Sequence, residues 1–302
     1  MFLGIDTSNY TTSAAVLKDG IIENQKIMLS VKSGERGLRQ SDAVFQHTVN
    51  LPDIMERLDL SDIEAVGVSD RPRNTEGSYM PCFLPGVSAA TAVSKASGVP
   101  LFKTSHQVGH ILAALYSCNK LDLIKNDFIA FHLSGGTTEA LLVSPDKDEI
   151  IKAEIISQSL DLKAGQAIDR TGVMLGMSFP CGKELDFASK HSVKEYKIKP
   201  TIIDGNCSLS GIENKAKKMI DENESKEDIA KFVLTYVANT VLSMLDCITD
   251  KYGEMPIVFS GGVSSNSLLK ETILNKYDAN FALPEFSLDN AAGVAIYASM
   301  KK

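Results

Sequence analysis

The sequence predicts an α/β protein built from two related lobes, and three observations carry that prediction. The segment Phe2 to Leu17 aligns without a gap on Phe128 to Val143, so that Ser8, Thr11, Thr12 and Ala14 fall on Ser134, Thr137, Thr138 and Ala140. Each copy reads as an apolar strand, a Ser/Thr/Gly-rich turn and a second apolar strand. Strands and helices then alternate along the remaining chain, which is the pattern of an α/β fold. Any two half-buried hairpins share alternation and turn chemistry; what favours duplication here is that the hydroxyls recur at one offset. Turns of small residues offer hydroxyls and converging backbone N–H groups, which suit a phosphate. Two such hairpins therefore predict a nucleotide held between facing lobes.

In order, the first hairpin continues through Gly20 to Leu29, and a polar stretch holding Gly34, Arg36 and Arg39 leads into a helix over Ser41 to Leu58. A strand over Ala65 to Ser69 is followed by the turn-rich loop Asp70 to Gly77, a small-residue helix Val87 to Ser97, a strand Val99 to Lys103 and a helix Ser105 to Ser117. Cys118 to Asp127 is the candidate boundary, dividing the chain into lobes 1–125 and 126–302. The second lobe is expected to hold its hairpin, a strand at Ile150 to Ile156, a helix at Ala164 to Leu175 and paired helices over Glu213 to Lys251. A strand Pro256 to Ser260, a helix from Ser265, a strand near Asn280 and a closing helix over 289–300, returning to the cleft, complete it.

Composition bounds the function. The chain has 302 residues, 44% hydrophobic and 23% charged, which suits a globular protein of two ordinary domains. Asp6 interrupts the first apolar run, no basic leader precedes it, and no run approaches the ~18 apolar residues of a spanning helix. A cytoplasmic protein with no membrane partner is expected. Five scattered cysteines without a C-x-x-C pair suggest neither a disulfide framework nor a zinc knuckle. A formal net charge of −7 argues against tight autonomous binding to nucleic acid, so contact with RNA would need a local patch or a partner.

Four motifs can carry chemistry. In Ser105 to His110, Ser105 is a plausible N-cap, and the i, i+4 spacing puts His106 and His110 on one helical face directly after a strand. That is how a helix offers two nitrogen ligands to one metal, although such a pair also arises by chance. A zinc peptidase of the H-E-x-x-H type would need a carboxylate where Gln107 stands, so that reading loses its general base. The turn Ser134 to Thr138 and the segment Phe259 to Asn266 each place paired glycines, Gly135–Gly136 and Gly261–Gly262, just after a strand, where backbone can approach phosphate or ribose. The fourth motif runs from Gly165 through Asp169 and Arg170 to Phe179 and Lys183; Asp169 could accept ribose hydroxyls, or be an ordinary exposed carboxylate. Gly176 to Lys183 imitates a P-loop but has one residue too many, and Glu184 replaces the metal-binding hydroxyl.

Taken together these residues resemble the TsaD family of tRNA threonylcarbamoyladenosine transferases, formerly called O-sialoglycoprotein endopeptidases. The resemblance rests on Gly4 to Ser8, the His106/His110 pair, Leu133 to Gly136, Gly165 to Arg170 with Pro180 to Gly182, Ser208 to Gly211, Ser260 to Asn266 and Glu285 to Asn290, and covers nearly the whole chain. It implies the actin-like ATPase (ASKHA) fold of two ribonuclease-H-like lobes. It implies Asp289 as a third metal ligand beside His106 and His110, with iron, zinc or magnesium as the divalent metal. It implies that His132, Leu133, Ser134, Gly135, Gly136, Asp169, Gly182, Asp186 and Asn266, with the Gly261–Gly262 turn, hold an adenine nucleotide, either threonylcarbamoyl-AMP or ATP/ADP. The implied reaction is transfer of a threonylcarbamoyl group to the N6 amine of the adenosine beside the tRNA anticodon, with a small ASKHA-fold paralogous subunit and an ATPase as partners.

The chain departs from that pattern in places. Asn9 and Tyr10 follow Asp6-Thr-Ser8 where the family has a Cys-Asp/Glu stretch, Asp70 to Gly77 replaces a Gly-Pro-Gly-rich loop, Thr137 replaces a histidine, and Cys181 stands where glycine is usual. Two other readings accommodate a divergent paralogue. One is a small-molecule phosphotransferase with Asp6 near a metal–phosphate, which leaves the histidine pair without a role; the other is a non-catalytic subunit that packs Val87 to Ser97 against a partner.

Overall fold

The computed structural model describes residues 1–8, 10–31 and 38–302; Asn9, Gly34 and Arg36 lie outside the described residues. The chain forms two compact units, one of Met1–Asn126, Ser144–Ala153 and Glu285–Lys302, the other of Asp127–Val143 and Glu154–Pro284.

The first sheet contains β1 (Phe2–Asp6), β2 (Thr11–Lys18), β3 (Ile21–Met28), β4 (Ala65–Arg71) and β5 (Leu101–Ser105), in the order β3-β2-β1-β4-β5. The second contains β6 (Phe128–Leu133), β7 (Thr138–Asp146), β8 (Ile150–Gln158), β11 (Ile257–Ser260) and β12 (Ala279–Phe281), in the order β12-β11-β6-β7-β8. These are the same topology twice. The opening hairpins also share a register: Phe2 faces Leu17 across β1 and β2, and Phe128 faces Val143 across β6 and β7, the positions that the sequence repeat aligns. In both sheets the first strand pairs antiparallel with the second and parallel with the strand that comes fourth in chain order within that sheet. A short two-stranded sheet of β9 (Thr201–Ile203) and β10 (Asn206–Ser208) is additional to the elements that the sequence predicts.

The first unit also holds α1 (Gln40–Met55), α2 (Leu84–Ser97), α3 (His106–Ser117), α9 (Pro284–Ser287, whose first residue falls in the other unit) and α10 (Ala292–Lys301). The second holds α4 (Ala164–Met174), α5 (Gly182–Ser189), α6 (Gly211–Asp221), α7 (Lys226–Tyr252) and α8 (Ser267–Leu274). Its core joins the inner faces of β6 and β11 to α4, α6 and α7, with Phe131, Phe259 and Phe281 stacked across three neighbouring strands at centroid spacings of 4.7 and 4.8 Å. Against the expectation from the sequence, α7 is long and apolar enough to cross a membrane by length and composition. Its apolar residues, among them Phe232, Val237, Met244 and Ile248, are instead buried in this core.

Two boundaries differ instructively. β4 runs on to Arg71 because a bulge after Ser69 lets Arg71 pair with Ser105. The closing helix begins at Ala292 and leaves Asp289 in a bend, because the Asn290 side chain accepts from Ala292 N–H (3.0 Å) and donates to the Leu288 carbonyl (2.6 Å), an Asx turn that delays the helix.

Candidate metal centre and nucleotide loops

In the first unit α3 starts directly after β5, and its orphan N–H groups find partners. Ser105 Oγ accepts from Val108 N–H at 3.2 Å, and Gln107 N–H donates to the Pro72 carbonyl in the loop after β4 at 3.1 Å. The helix so anchored presents His106 and His110 together, with ring centroids 4.3 Å apart at 76°. Asp289 Oδ1 lies 3.2 Å from His110 Nε2 and 3.6 Å from His106 Nε2. One ligand atom from each of the three residues lies within 4.8 Å of the others.

This donor set fits a divalent cation. Tetrahedral ligands at zinc–nitrogen or zinc–oxygen distances stand roughly 3.4 Å apart, and the two measured separations bracket that value. Two imidazoles and a carboxylate suit zinc, or iron as in a two-His-one-carboxylate site. Three protein ligands leave a position open, and Asp289 retains 24% side-chain exposure against 12% and 10% for the histidines.

Glycines bring Asp289 to the pair. A Cβ on Gly293 would sit 1.8 Å from the Gly109 carbonyl oxygen, one on Gly4 2.4 Å from Ala295 N, and one on Gly67 2.5 Å from the Val294 carbonyl. Helix α10 therefore touches α3, β1 and β4 at backbone distance, and the bend before it falls beside the histidines.

Asp6 is the residue whose place here the sequence did not reveal. It ends the central strand at 2% exposure. Its Oδ1 accepts from Ser8 N–H (2.9 Å) and the Ser69 hydroxyl (2.6 Å), and its Oδ2 lies 2.7 Å from His106 Nδ1. The Ser8 hydroxyl is also 2.7 Å from that nitrogen. Burial alone would push the Asp6 carboxyl up, but His106 and these donors outweigh it and hold the group at about 2. Conversely, burial disfavours a charged His106, and the Asp6 charge overcomes this and raises its pKa. Burial also opposes ionisation of Asp289, while the hydrogen bond to His110 and the charge of His106 keep its carboxyl below the ordinary value.

In the second unit the turn after β6 is braced from within: Ser134 N–H donates to the Thr137 carbonyl (2.8 Å) and Ser134 Oγ accepts from Thr137 N–H (3.1 Å). The start of α4 rests on it, since a Cβ on Gly165 would lie 2.7 Å from Gly135 backbone. Gly261, at φ +91°, packs on Leu133, and His132 Nδ1 meets Ser260 Oγ at 3.2 Å, so the ends of β6 and β11 form one cluster. Asp169 accepts from Cys181 N–H at 2.8 Å, and burial raises its carboxyl pKa. Asp186 bonds the Asn266 amide (2.6 Å) together with the Ser267 N–H and hydroxyl, joining α5 to the start of α8. A Cβ added to Gly135, Gly136, Gly182 or Gly262 would meet no heavy atom within 4 Å, and none of these four has a positive φ. Neither packing nor backbone strain requires glycine there, which suits close approach by a ligand such as a nucleotide.

The model of the tRNA N6-adenosine threonylcarbamoyltransferase family matches residues 29–296. The chain belongs to the TsaD family. It is 30% identical to the tRNA N6-adenosine threonylcarbamoyltransferase of Thermosipho africanus over 97% of this chain and 92% of that one. It is 29% identical to that of a Sulfurihydrogenibium species over 97% and 88%. TsaD relatives bear the name of a transferase acting on tRNA, so the chain is a member of an enzyme family of tRNA modification. Among solved structures it is similar to component A of the Acidaminococcus fermentans (R)-2-hydroxyglutaryl-CoA dehydratase, with a TM-score of 0.59 at 15% identity, covering 99% of this chain and 98% of that one. It is also similar to a ROK family glucokinase of Streptomyces griseus, with a TM-score of 0.54 at 13% identity over 99% and 98%. These likenesses identify the actin-like ATPase fold.

Proposed function

We propose that the protein transfers a threonylcarbamoyl group from threonylcarbamoyl-AMP to the N6 amine of the adenosine next to the tRNA anticodon, using one divalent metal. The observation that carries this reading is the convergence of His106, His110 and Asp289, the last drawn from far along the chain, on one cation-sized set of donors. Those three residues would hold iron, zinc or magnesium. Such an ion supplies Lewis-acid polarisation of a carbonyl and a fixed template for the acyl group. The residues of the second unit would take the nucleotide: the Ser134 to Gly136 turn, through the Gly135 and Gly136 N–H groups, and the Gly261–Gly262 turn would face phosphate, Gly182 would admit the nucleoside, and Asp169 would accept ribose hydroxyls. In the transfer, the N6–carbonyl bond forms, the bond from that carbonyl to the phosphate oxygen breaks, AMP leaves, and N6 gives up one proton. The net charge of −7 favours delivery of the tRNA with help from a partner; membership of the TsaD family suggests a small ASKHA-fold subunit and an ATPase for that part, in the cytoplasm.

Elemental analysis of protein purified without chelator tests the reading, beside His106→Ala and Asp289→Ala. About one equivalent of metal, lost from both variants along with threonylcarbamoyl transfer to tRNA, is expected; metal content indifferent to Asp289 would overturn it.

A further inference from the structure

The hydrogen bonds of Asp6 divide its two oxygens between different tasks. Oδ1 is tied to the scaffold, to Ser8 N–H at 2.9 Å and to the Ser69 hydroxyl on the neighbouring strand at 2.6 Å. Oδ2 is thereby aimed at His106 Nδ1, 2.7 Å away. A carboxylate only accepts, so the nitrogen that faces it carries the ring proton. The lone pair is then left on Nε2, the nitrogen 3.6 Å from Asp289. A metal-binding imidazole needs that arrangement, and a carboxylate behind the ring is a recurrent means of fixing it.

We infer that Asp6 is a positioning residue for the metal centre, setting the tautomer and the ring plane of His106 so that Nε2 faces the cation. The inference rests on the reading of His106, His110 and Asp289 as ligands, and it adds a fourth residue that touches no metal. The anchoring of Oδ1 makes the consequence of one substitution definite. In Asp6→Asn, the amide oxygen stays where Ser8 N–H donates, and the NH2 group faces His106 Nδ1. That nitrogen must then accept, and the ring proton moves to Nε2, the atom meant to bind metal. A side chain of almost unchanged size would disable the ligand by moving a proton.

The test uses full-length protein stripped of metal and titrated with cobalt(II), with the tautomer of His106 read by long-range nitrogen–proton NMR. At a pH high enough for the His106 ring to be neutral, the wild type is expected to show Nδ1–H there and to bind cobalt in a manner that Asp289→Ala abolishes. Asp6→Asn should show Nε2–H and bind cobalt about 10- to 100-fold more weakly, the usual effect of losing such a partner. Wild-type affinity and tautomer in Asp6→Asn would overturn the assignment to Asp6 alone. A neutral His106 in the wild type with its proton on Nε2 instead of Nδ1 would also overturn it, and that result needs no variant to fold. Wild-type protein that takes up no cobalt would instead overturn the metal reading beneath it.

Discussion

Replacing Gly293 by alanine should dismantle the metal centre without touching a ligand. The new Cβ would lie 1.8 Å from the Gly109 carbonyl oxygen, 2.7 Å from its carbon and 2.9 Å from Ala113 N. All three are helix backbone, so no side chain can rotate away. Restoring an ordinary carbon–oxygen contact of roughly 3.3 Å requires α3 and α10 to part by about 1.5 Å. Metal–ligand distances tolerate only about 0.2 Å, and α3 carries both histidines while α10 follows the bend that carries Asp289. Overpacking of this kind costs about 3 kcal/mol, or a fall in melting temperature of roughly 6–12 °C for a unit of this size. Calorimetry and cobalt titration of Gly293→Ala should show both losses, with cobalt affinity reduced by about tenfold or more. A variant that melts and binds cobalt like the wild type would refute the claim that backbone contact between these helices sets the site.

Gly182→Ala should do the reverse: it has open space around it and sits in the first turn of α5, so the melting temperature should hold or rise slightly, while adenine nucleotide affinity by calorimetry falls about tenfold as the new methyl occupies the approach. Gly261→Ala should destabilise the second unit by about 2 kcal/mol or more in denaturant melts, since its φ is positive and its Cβ would lie 2.2 Å from the Leu133 carbonyl. Asp161 accepts from the Ser208 hydroxyl, Leu209 N–H (2.8 Å) and Ser210 N–H (3.3 Å); although burial pushes its carboxyl up, these donors hold it well below the usual range. Because the folded value is depressed, its stabilisation is complete above the unfolded pKa and fades as the pH falls from there toward the folded one; Asp161→Asn should lose about 1 kcal/mol at neutral pH and this part of the acid dependence, read from denaturant melts across pH.

Local chemistry made the hairpins, the N-cap at Ser105 and the histidine pair readable in the sequence, since each is decided within a few neighbouring residues. The repeat even anticipated the shared register of the two sheets. Asp289 came only through resemblance: no spacing rule reaches 179 positions from His110. Asp6 was visible as an acid in an apolar strand, but its partners depend on β1 pairing with β4, which brings Ser69 beside it. Gly4 and Gly67 bear a signal in the sequence, because glycine inside a strand marks close approach by another backbone, here that of α10. The periodicity of the last segment continues through Asp289 and predicts helix there; the Asn290 turn overrides that periodicity locally.

The first unit is discontinuous in sequence, and that imposes an order on biosynthesis. A ribosome makes Asp6, His106 and His110 early, then all of 154–284, and only afterwards the stretch that holds Asp289 and α10. Until that stretch emerges, the glycine faces of β1 and β4 lack their covering helix and the histidines lack their third donor. If His106, His110 and Asp289 hold a metal as proposed, an interrupted product carries two of the three ligands yet no competent centre, and metal capture waits on translation having passed residue 289.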